Sequence, residues 1–177
     1  MFDLLDIYHK LPKLSQNVLI TMKGMSFRSQ RYTKFTWDFF KFLEKSQFWN
    51  KNEIQNYQLS ELKKIVNHAK ESSPFYKKLY LEKKITDKDI YKLSDIQLLP
   101  IISKNQFRKN NTSFFSTNIN LKKTIMAYTS GTTGTPLSAR KTYRDMQKAT
   151  ALIERLYHWY NPMRFRKRAS FTGRLIV

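Results

Sequence analysis

The chain has 177 residues, with 33 Lys or Arg against 13 Asp or Glu, giving a formal net charge of +20. That length suits one domain of about 100–200 residues, and 41% hydrophobic with 15% aromatic residues is enough for a core, which argues against wholesale disorder. The lack of cysteine excludes a disulfide scaffold, a thiol nucleophile and any Cys-based zinc or iron–sulfur site.

The three histidines, His9, His68 and His158, have no spacing that gathers a metal. Residues 1–100 carry 18 basic and 11 acidic side chains, whereas residues 101–177 carry 15 basic and only two acidic ones, Asp145 and Glu154. Such a balance suits nucleic acid, an anionic membrane or a phosphate-bearing ligand, and charge alone does not choose among them. The start, Met1-Phe2-Asp3-Leu4-Leu5-Asp6, lacks the basic and apolar regions of a secretory signal. No window approaches the ~18 apolar residues needed to span a bilayer, so a cytoplasmic location is the expectation.

In chain order, residues 1–120 read as a helical region of short helices separated by brief breaks. From Tyr32 to Trp49, the residues Tyr32, Phe35, Phe39, Phe42 and Leu43 make one helical stripe. Arg31, Lys34, Lys41 and Lys45 interleave it, so a membrane-surface or single-strand-binding helix is one reading. A core-facing stripe with snorkelling lysines is the more ordinary one. A second helix is expected from about Leu59 to Ser72, with Leu62, Ile65, Val66 and Ala69 on one face. Pro74 then opens another short helix through Phe75-Tyr76-Lys77-Lys78-Leu79-Tyr80. Ser94 and Ser103 are each placed to cap further short helices, with Pro100 between them. His68, without an acid or nucleophile nearby in sequence, reads as a packing or surface residue.

Residues 121–177 change pattern and read as the start of an α/β region. Lys123–Tyr128 is a β-prone run, and Leu137–Lys141 alternates well enough for a second strand. Thr142 precedes Asp145 by three, a capping-box spacing, and a helix to about Tyr160 follows. Its expected apolar face is Met146, Ala149, Leu152, Ile153 and Leu156. Arg168–Thr172 is a third candidate strand. Gly173-Arg174-Leu175-Ile176-Val177 stops in an apolar run, which reads as a cut inside a structural element. The expectation is an α/β fragment: one incomplete domain with a helical lead-in.

The stretch between the first two strands carries the chemistry. Tyr128-Thr129-Ser130-Gly131-Thr132-Thr133-Gly134-Thr135-Pro136, directly after the first expected strand, holds two of the four glycines among five Ser or Thr residues. Glycines let backbone approach a ligand closely, successive amides can converge on phosphate oxygens, and hydroxyls add donors or a Mg²⁺ contact. Composition serves a polar turn equally well. The chain has no Gly-x-x-x-x-Gly-Lys-Ser/Thr, no Gly-x-Gly-x-x-Gly and no Gly-x-Ser-x-Gly. No pair of carboxylates is placed for acid–base work.

Ser130-Gly131-Thr132-Thr133-Gly134-Thr135-Pro136 resembles the Ser/Thr/Gly-rich phosphate loop of the adenylate-forming superfamily, which includes acyl-CoA synthetases and peptide synthetase adenylation domains. Within it, the chain most resembles the phenylacetate–CoA ligase branch and its CapK-like capsular polysaccharide group. Ile7-Tyr8-His9-Lys10-Leu11-Pro12 with Gln16-Asn17, the segment His68-Ala69-Lys70-Glu71-Ser72-Ser73-Pro74-Phe75-Tyr76, and Leu99-Pro100-Ile101-Ile102-Ser103-Lys104 are similar to segments of that branch, as is Gly173–Val177. Leu137 stands where many superfamily members have Lys, a departure that the phenylacetate-ligase branch often shares.

The resemblance implies the N-terminal part of the large domain of an adenylate-forming enzyme. Such enzymes activate a carboxylic acid with ATP to an acyl-adenylate and pass the acyl group to a thiol or other nucleophile. It assigns Ser130, Gly131, Thr132, Thr133, Gly134 and Thr135 to the ATP phosphates, implies Mg²⁺, and allows for coenzyme A and for a dimer. The family's adenine, ribose, Mg²⁺ and catalytic-lysine residues lie downstream, so no catalytic residue and no metal ligand is assigned in this chain. Two other readings compete: a basic, aromatic-rich nucleic-acid-binding module, against which no recognition motif appears, and a truncated product without activity of its own.

Overall fold

The computed structural model describes residues 8–129 and 137–160. Helices dominate, with one small antiparallel sheet, so the class is α/β in the broad sense. The chain divides into two compact units, with boundaries between Glu44 and Lys45 and between Tyr143 and Arg144.

The first unit is built on helices α1 (Lys13–Arg31), α2 (Lys34–Ser46) and the long helix closing the described chain, Tyr143–Tyr160. Between α1 and α2 the chain turns tightly, because the Thr36 hydroxyl donates to the Arg31 carbonyl and the Thr33 and Thr36 hydroxyls lie 3.3 Å apart. The core here is Phe40, Leu43 and Ala151, with Trp37, Phe39 and Phe42 packed against it.

Two sequence expectations are corrected in this unit. Of the expected α2 stripe, Leu43 is buried and Phe39 and Phe42 pack partly buried against the core, but the buried ridge runs on through Thr36 and Phe40 rather than Phe35. Since α2 has aromatic residues nearly all round, periodicity did not single out the face that packs. The long helix buries Thr150, Ala151 and Glu154 and leaves Leu152, Ile153 and Leu156 exposed, opposite to the apolar face expected. Small Ala151 allows close approach to the aromatic ridge, and Glu154 is accommodated because the Tyr32 hydroxyl donates to its Oε1 at 2.9 Å. The Gln147 side-chain amide donates to the Gln30 carbonyl at 2.9 Å. Arg144 and Lys148 sit over the rings of Phe35 and Phe39, at 4.7 and 5.5 Å from the centroids.

The second unit begins with α3 (Lys51–Ser72) and α4 (Pro74–Lys83). Helix α3 starts earlier than apolar periodicity alone indicates. Asn50 Oδ1 accepts from the Glu53 amide at 3.0 Å and Glu53 Oε2 accepts from the Asn50 amide at 2.8 Å, a complete capping box. Pro74 opens α4 after Ser73, as expected. Val66, Tyr80 and Ile90 are buried together, surrounded by Leu59, Leu62, Ala69, Tyr76, Leu79, Ile85 and Leu99. Burial raises the pKa of the Tyr76 and Tyr80 hydroxyls above the ordinary tyrosine value. Ile65, expected beside Val66 in the core, points outward at 64% exposure, one residue of rotation off the contact face. His68 is exposed, with Nε2 3.2 Å from the Ser72 hydroxyl, as a surface residue.

Beyond α4 the chain runs through 3₁₀ turns at Asp87–Asp89 and Leu93–Leu98 to α5 (Lys104–Lys109), then further 3₁₀ turns at Asn111–Phe114 and Leu121–Lys123. Ser103 caps α5, its hydroxyl accepting from the Gln106 amide at 3.2 Å. Ser94 does not cap. It lies inside Leu93–Leu98, and Asp95 accepts the amides of Tyr91 and Lys92 at 2.8 and 3.0 Å, because a carboxylate takes two donors where a hydroxyl takes one less well. The Phe75 ring stacks on Phe114 at 3.9 Å between centroids, and the Phe107 ring meets Phe114 tilted at 4.8 Å. The Ser72 carbonyl accepts from both the amide and the hydroxyl of Thr117, tying this segment to the end of α3.

The sheet consists of β1 (Thr124–Tyr128) and β2 (Ser138–Thr142), antiparallel, in a register from Thr124 opposite Thr142 to Tyr128 opposite Ser138. Helix α6 (Tyr143–Tyr160) follows β2 directly. The third candidate strand, Arg168–Thr172, lies outside the described residues, as do Gly173–Val177.

Candidate functional site

The feature the sequence singles out is bracketed by this hairpin. A β-prone run must pair, and Ile125 and Ala127 alternate with Thr124, Met126 and Tyr128 as a strand requires. Past the last strand pair, the amide of Thr129 donates to the Leu137 carbonyl at 3.0 Å. The Leu137 amide donates to Thr129 Oγ1 at 2.9 Å. Thr129 and Leu137, which flank the segment 130–136, are therefore held side by side. Ser130, Gly131, Thr132, Thr133, Gly134 and Thr135 themselves lie outside the described residues.

Two further side chains fix the hairpin. Asn111 Nδ2 donates to the carbonyl and hydroxyl oxygens of Ser138, at 3.2 and 3.0 Å. Arg140 Nη1 donates to the Leu121 carbonyl at 2.9 Å and to Thr124 Oγ1 at 2.8 Å, and its guanidinium lies 5.4 Å from the Phe115 ring centroid. A cation held this way stiffens the start of β1 against β2, since Arg is planar and presents several donors at once. Sequence reasoning did not find Asn111. It lies 27 residues from Ser138, and a lone Asn in a polar stretch carries no local signal of such a partner.

Chemically, the strand ends present backbone and hydroxyl groups rather than acids or nucleophiles. Among the described residues, no group of three or more His, Asp or Glu is arranged to hold a metal ion. The donor set the sequence places in the loop, four hydroxyls with two glycines, suits phosphate oxygens. At the end of α6, His158 Nδ1 lies 2.9 Å from Glu44 Oε1, its ring meets Phe40 edge-on at 5.6 Å, and Arg155 covers the Trp159 ring at 5.0 Å, while Tyr157, Trp159 and Tyr160 remain exposed.

No helix among the described residues is long and apolar enough to cross a membrane. No protein-family model matches the chain. Among curated proteins, the chain is similar to Protein CapK of Staphylococcus aureus, with 29% identity over 171 residues. The aligned part is 97% of this chain and 36% of that protein. The chain is thus similar to CapK along nearly all of its own length while spanning about a third of CapK's.

Proposed function

We propose that a protein carrying this chain is an ATP-dependent, carboxylate-activating ligase of the adenylate-forming type, similar to phenylacetate–CoA ligases, that acts in capsular or exopolysaccharide synthesis. In this reading the chain supplies the N-terminal part of the large domain, in the cytoplasm. The observation that carries the reading is the hairpin whose ends Thr129 and Leu137 hold together around a Ser/Thr/Gly loop. Similarity to CapK supports it.

Within that reading, the amides and hydroxyls from Ser130 to Thr135 hold the β- and γ-phosphates and orient them for departure as pyrophosphate. Positioned donors of this kind are the main contribution a protein makes to such a displacement. ATP supplies the adenylyl group, Mg²⁺ the charge neutralisation, and coenzyme A or another nucleophile the acyl acceptor. The substrate is a small carboxylic acid.

The experiment is pyrophosphate exchange by the full-length protein with a panel of carboxylic acids. The Gly131→Val and Thr133→Ala variants, confirmed as folded by circular dichroism, are expected to lose exchange by about 10²-fold or more. Folded variants that exchange at the wild-type rate overturn the phosphate-loop assignment. Absence of exchange with every acid of the panel, alongside acyl-independent ATP hydrolysis, overturns the ligase reading.

A further inference from the structure

Among the described residues of its unit, helix α1 has almost no partner. None of its residues is buried, yet it carries an apolar stripe at i, i+4, i+8 and i+11. Leu14, Val18, Met22 and Met25 on that stripe are 80, 53, 62 and 66% exposed. The helix is also poorly equipped to stand alone. Pro12 at its N-cap makes no side-chain cap, no acid sits in the first turn, and Val18, Ile20, Thr21 and Gly24 are weak helix formers. An isolated helix of this length and composition is marginal in water, so its stability depends on what covers the stripe.

Charge indicates the occupant. Between Asp6 and Asp38 there is no carboxylate, while Lys10, Lys13, Lys23, Arg28, Arg31 and Lys34 are all basic. Lys23 and Arg31 lie over the Phe27 ring, at 5.1 and 5.9 Å from its centroid, on the side away from the stripe. A helix with an exposed aliphatic and Met stripe, four basic residues (Lys13, Lys23, Arg28 and Arg31) beside exposed Ile20 and Phe27 on the rest of its surface, and no acid has the chemistry of one that lies in the headgroup region of an anionic bilayer. A polyanion such as nucleic acid would use the basic residues but leave Leu14, Val18, Met22 and Met25 in water.

We propose that α1 docks on an anionic phospholipid surface, with Leu14, Val18, Met22 and Met25 inserted among the acyl chains and the basic residues against the headgroups. The stripe supplies apolar area, and the lysines and arginines supply attraction that depends on lipid charge. This docking is independent of the adenylate-forming reading, because it uses no residue of the hairpin.

Co-sedimentation of the full chain with phosphatidylglycerol/phosphatidylcholine vesicles and with pure phosphatidylcholine vesicles is the test. Binding to the anionic vesicles is expected, with little to the neutral ones. The Val18→Glu/Met22→Glu double variant, matched to wild type in thermal unfolding, is expected to bind the anionic vesicles about tenfold more weakly or less. A Met22→Trp variant is expected to shift its fluorescence emission to the blue on binding.

Failure of the wild-type chain to bind anionic vesicles overturns the proposal. Equal binding by the Val18→Glu/Met22→Glu variant also overturns it, since attraction by other basic segments then suffices. A dimer in sedimentation that this variant disperses, without vesicle binding, assigns the stripe to a second copy of the chain instead. A Met22→Trp emission that does not move with bound vesicles overturns insertion.

Discussion

Thr129 and Leu137 are paired twice across the mouth of the hairpin, through the Thr129 amide to the Leu137 carbonyl and through the Leu137 amide to the Thr129 hydroxyl. The second of these bonds belongs to a side chain, so it can be removed without touching the backbone. Thr129→Val keeps the β-branched shape and leaves the Leu137 amide without that acceptor. Because the site is exposed, water replaces much of the lost bond, and the expected cost is about 0.5–1 kcal/mol. Hydrogen exchange checks it. The Leu137 amide is expected to exchange several-fold faster in Thr129→Val and near the wild-type rate in Thr129→Ser, and equal rates in all three would show the hydroxyl to be idle.

Ile90 and Ile65 make a contrasting pair in the second unit. Ile90 has no exposed surface and joins Val66 and Tyr80, whereas Ile65 is largely in water. Ile90→Ala is therefore expected to destabilise the protein by about 2–4 kcal/mol, since the lost methyls leave a cavity. Ile65→Ala is expected to change stability by less than about 0.5 kcal/mol. Urea unfolding curves of the two variants decide this, and comparable losses at both positions would place Ile65 in the core after all.

Acid sensitivity follows from two capping carboxylates. The side-chain hydroxyl of Thr86, and then its amide, hold Asp89 below the ordinary carboxylate value of 3.8. The amides of Lys92 and Tyr91 do the same for Asp95. A carboxyl whose folded pKa is depressed stabilises the fold above its unfolded value, and that contribution is lost as pH falls through the lower folded value. Asp89→Asn and Asp95→Asn are thus expected to lower the unfolding midpoint at about pH 5 and to narrow their difference from wild type at about pH 2.5. A constant difference at both pH values would show that ionisation plays no part. Both side chains are surface groups, so the shifts in midpoint are expected to be small.

How far the fold was legible in the sequence depended on whether a signal was local. Pro74 after Ser73, Ser103 three residues before Gln106, and the β-prone runs around the Gly/Thr loop each act through neighbours a few residues away, and each element formed where the sequence placed it. Asn50 and Glu53 also form a local signal, and attending to that pair would have started α3 at its true beginning. The faces were harder. In α6 the apolar residues are on both sides, and the choice fell to Ala151 against Phe40 and Leu43, and to Tyr32 reaching Glu154 across 122 residues of sequence. Nothing within one helix encodes that. Around the loop, Leu137 was legible as the start of the second strand, one residue before β2 begins, whereas Thr129 was read as loop and Asn111 depended on a contact that only the folded chain creates.

The sheet itself has two strands among the described residues, so each strand has a partner on one side only. An open strand edge is a template on which any other extended chain can add, and a lone two-stranded ribbon is the form least able to shield it. Here Lys122 and Lys123 precede β1, and Arg140 and Lys141 stand exposed on β2. Like charges placed there repel a second ribbon before its backbone can register. Positive charge beside these edges opposes pairing between two copies of the ribbon, and that opposition weakens as ionic strength rises.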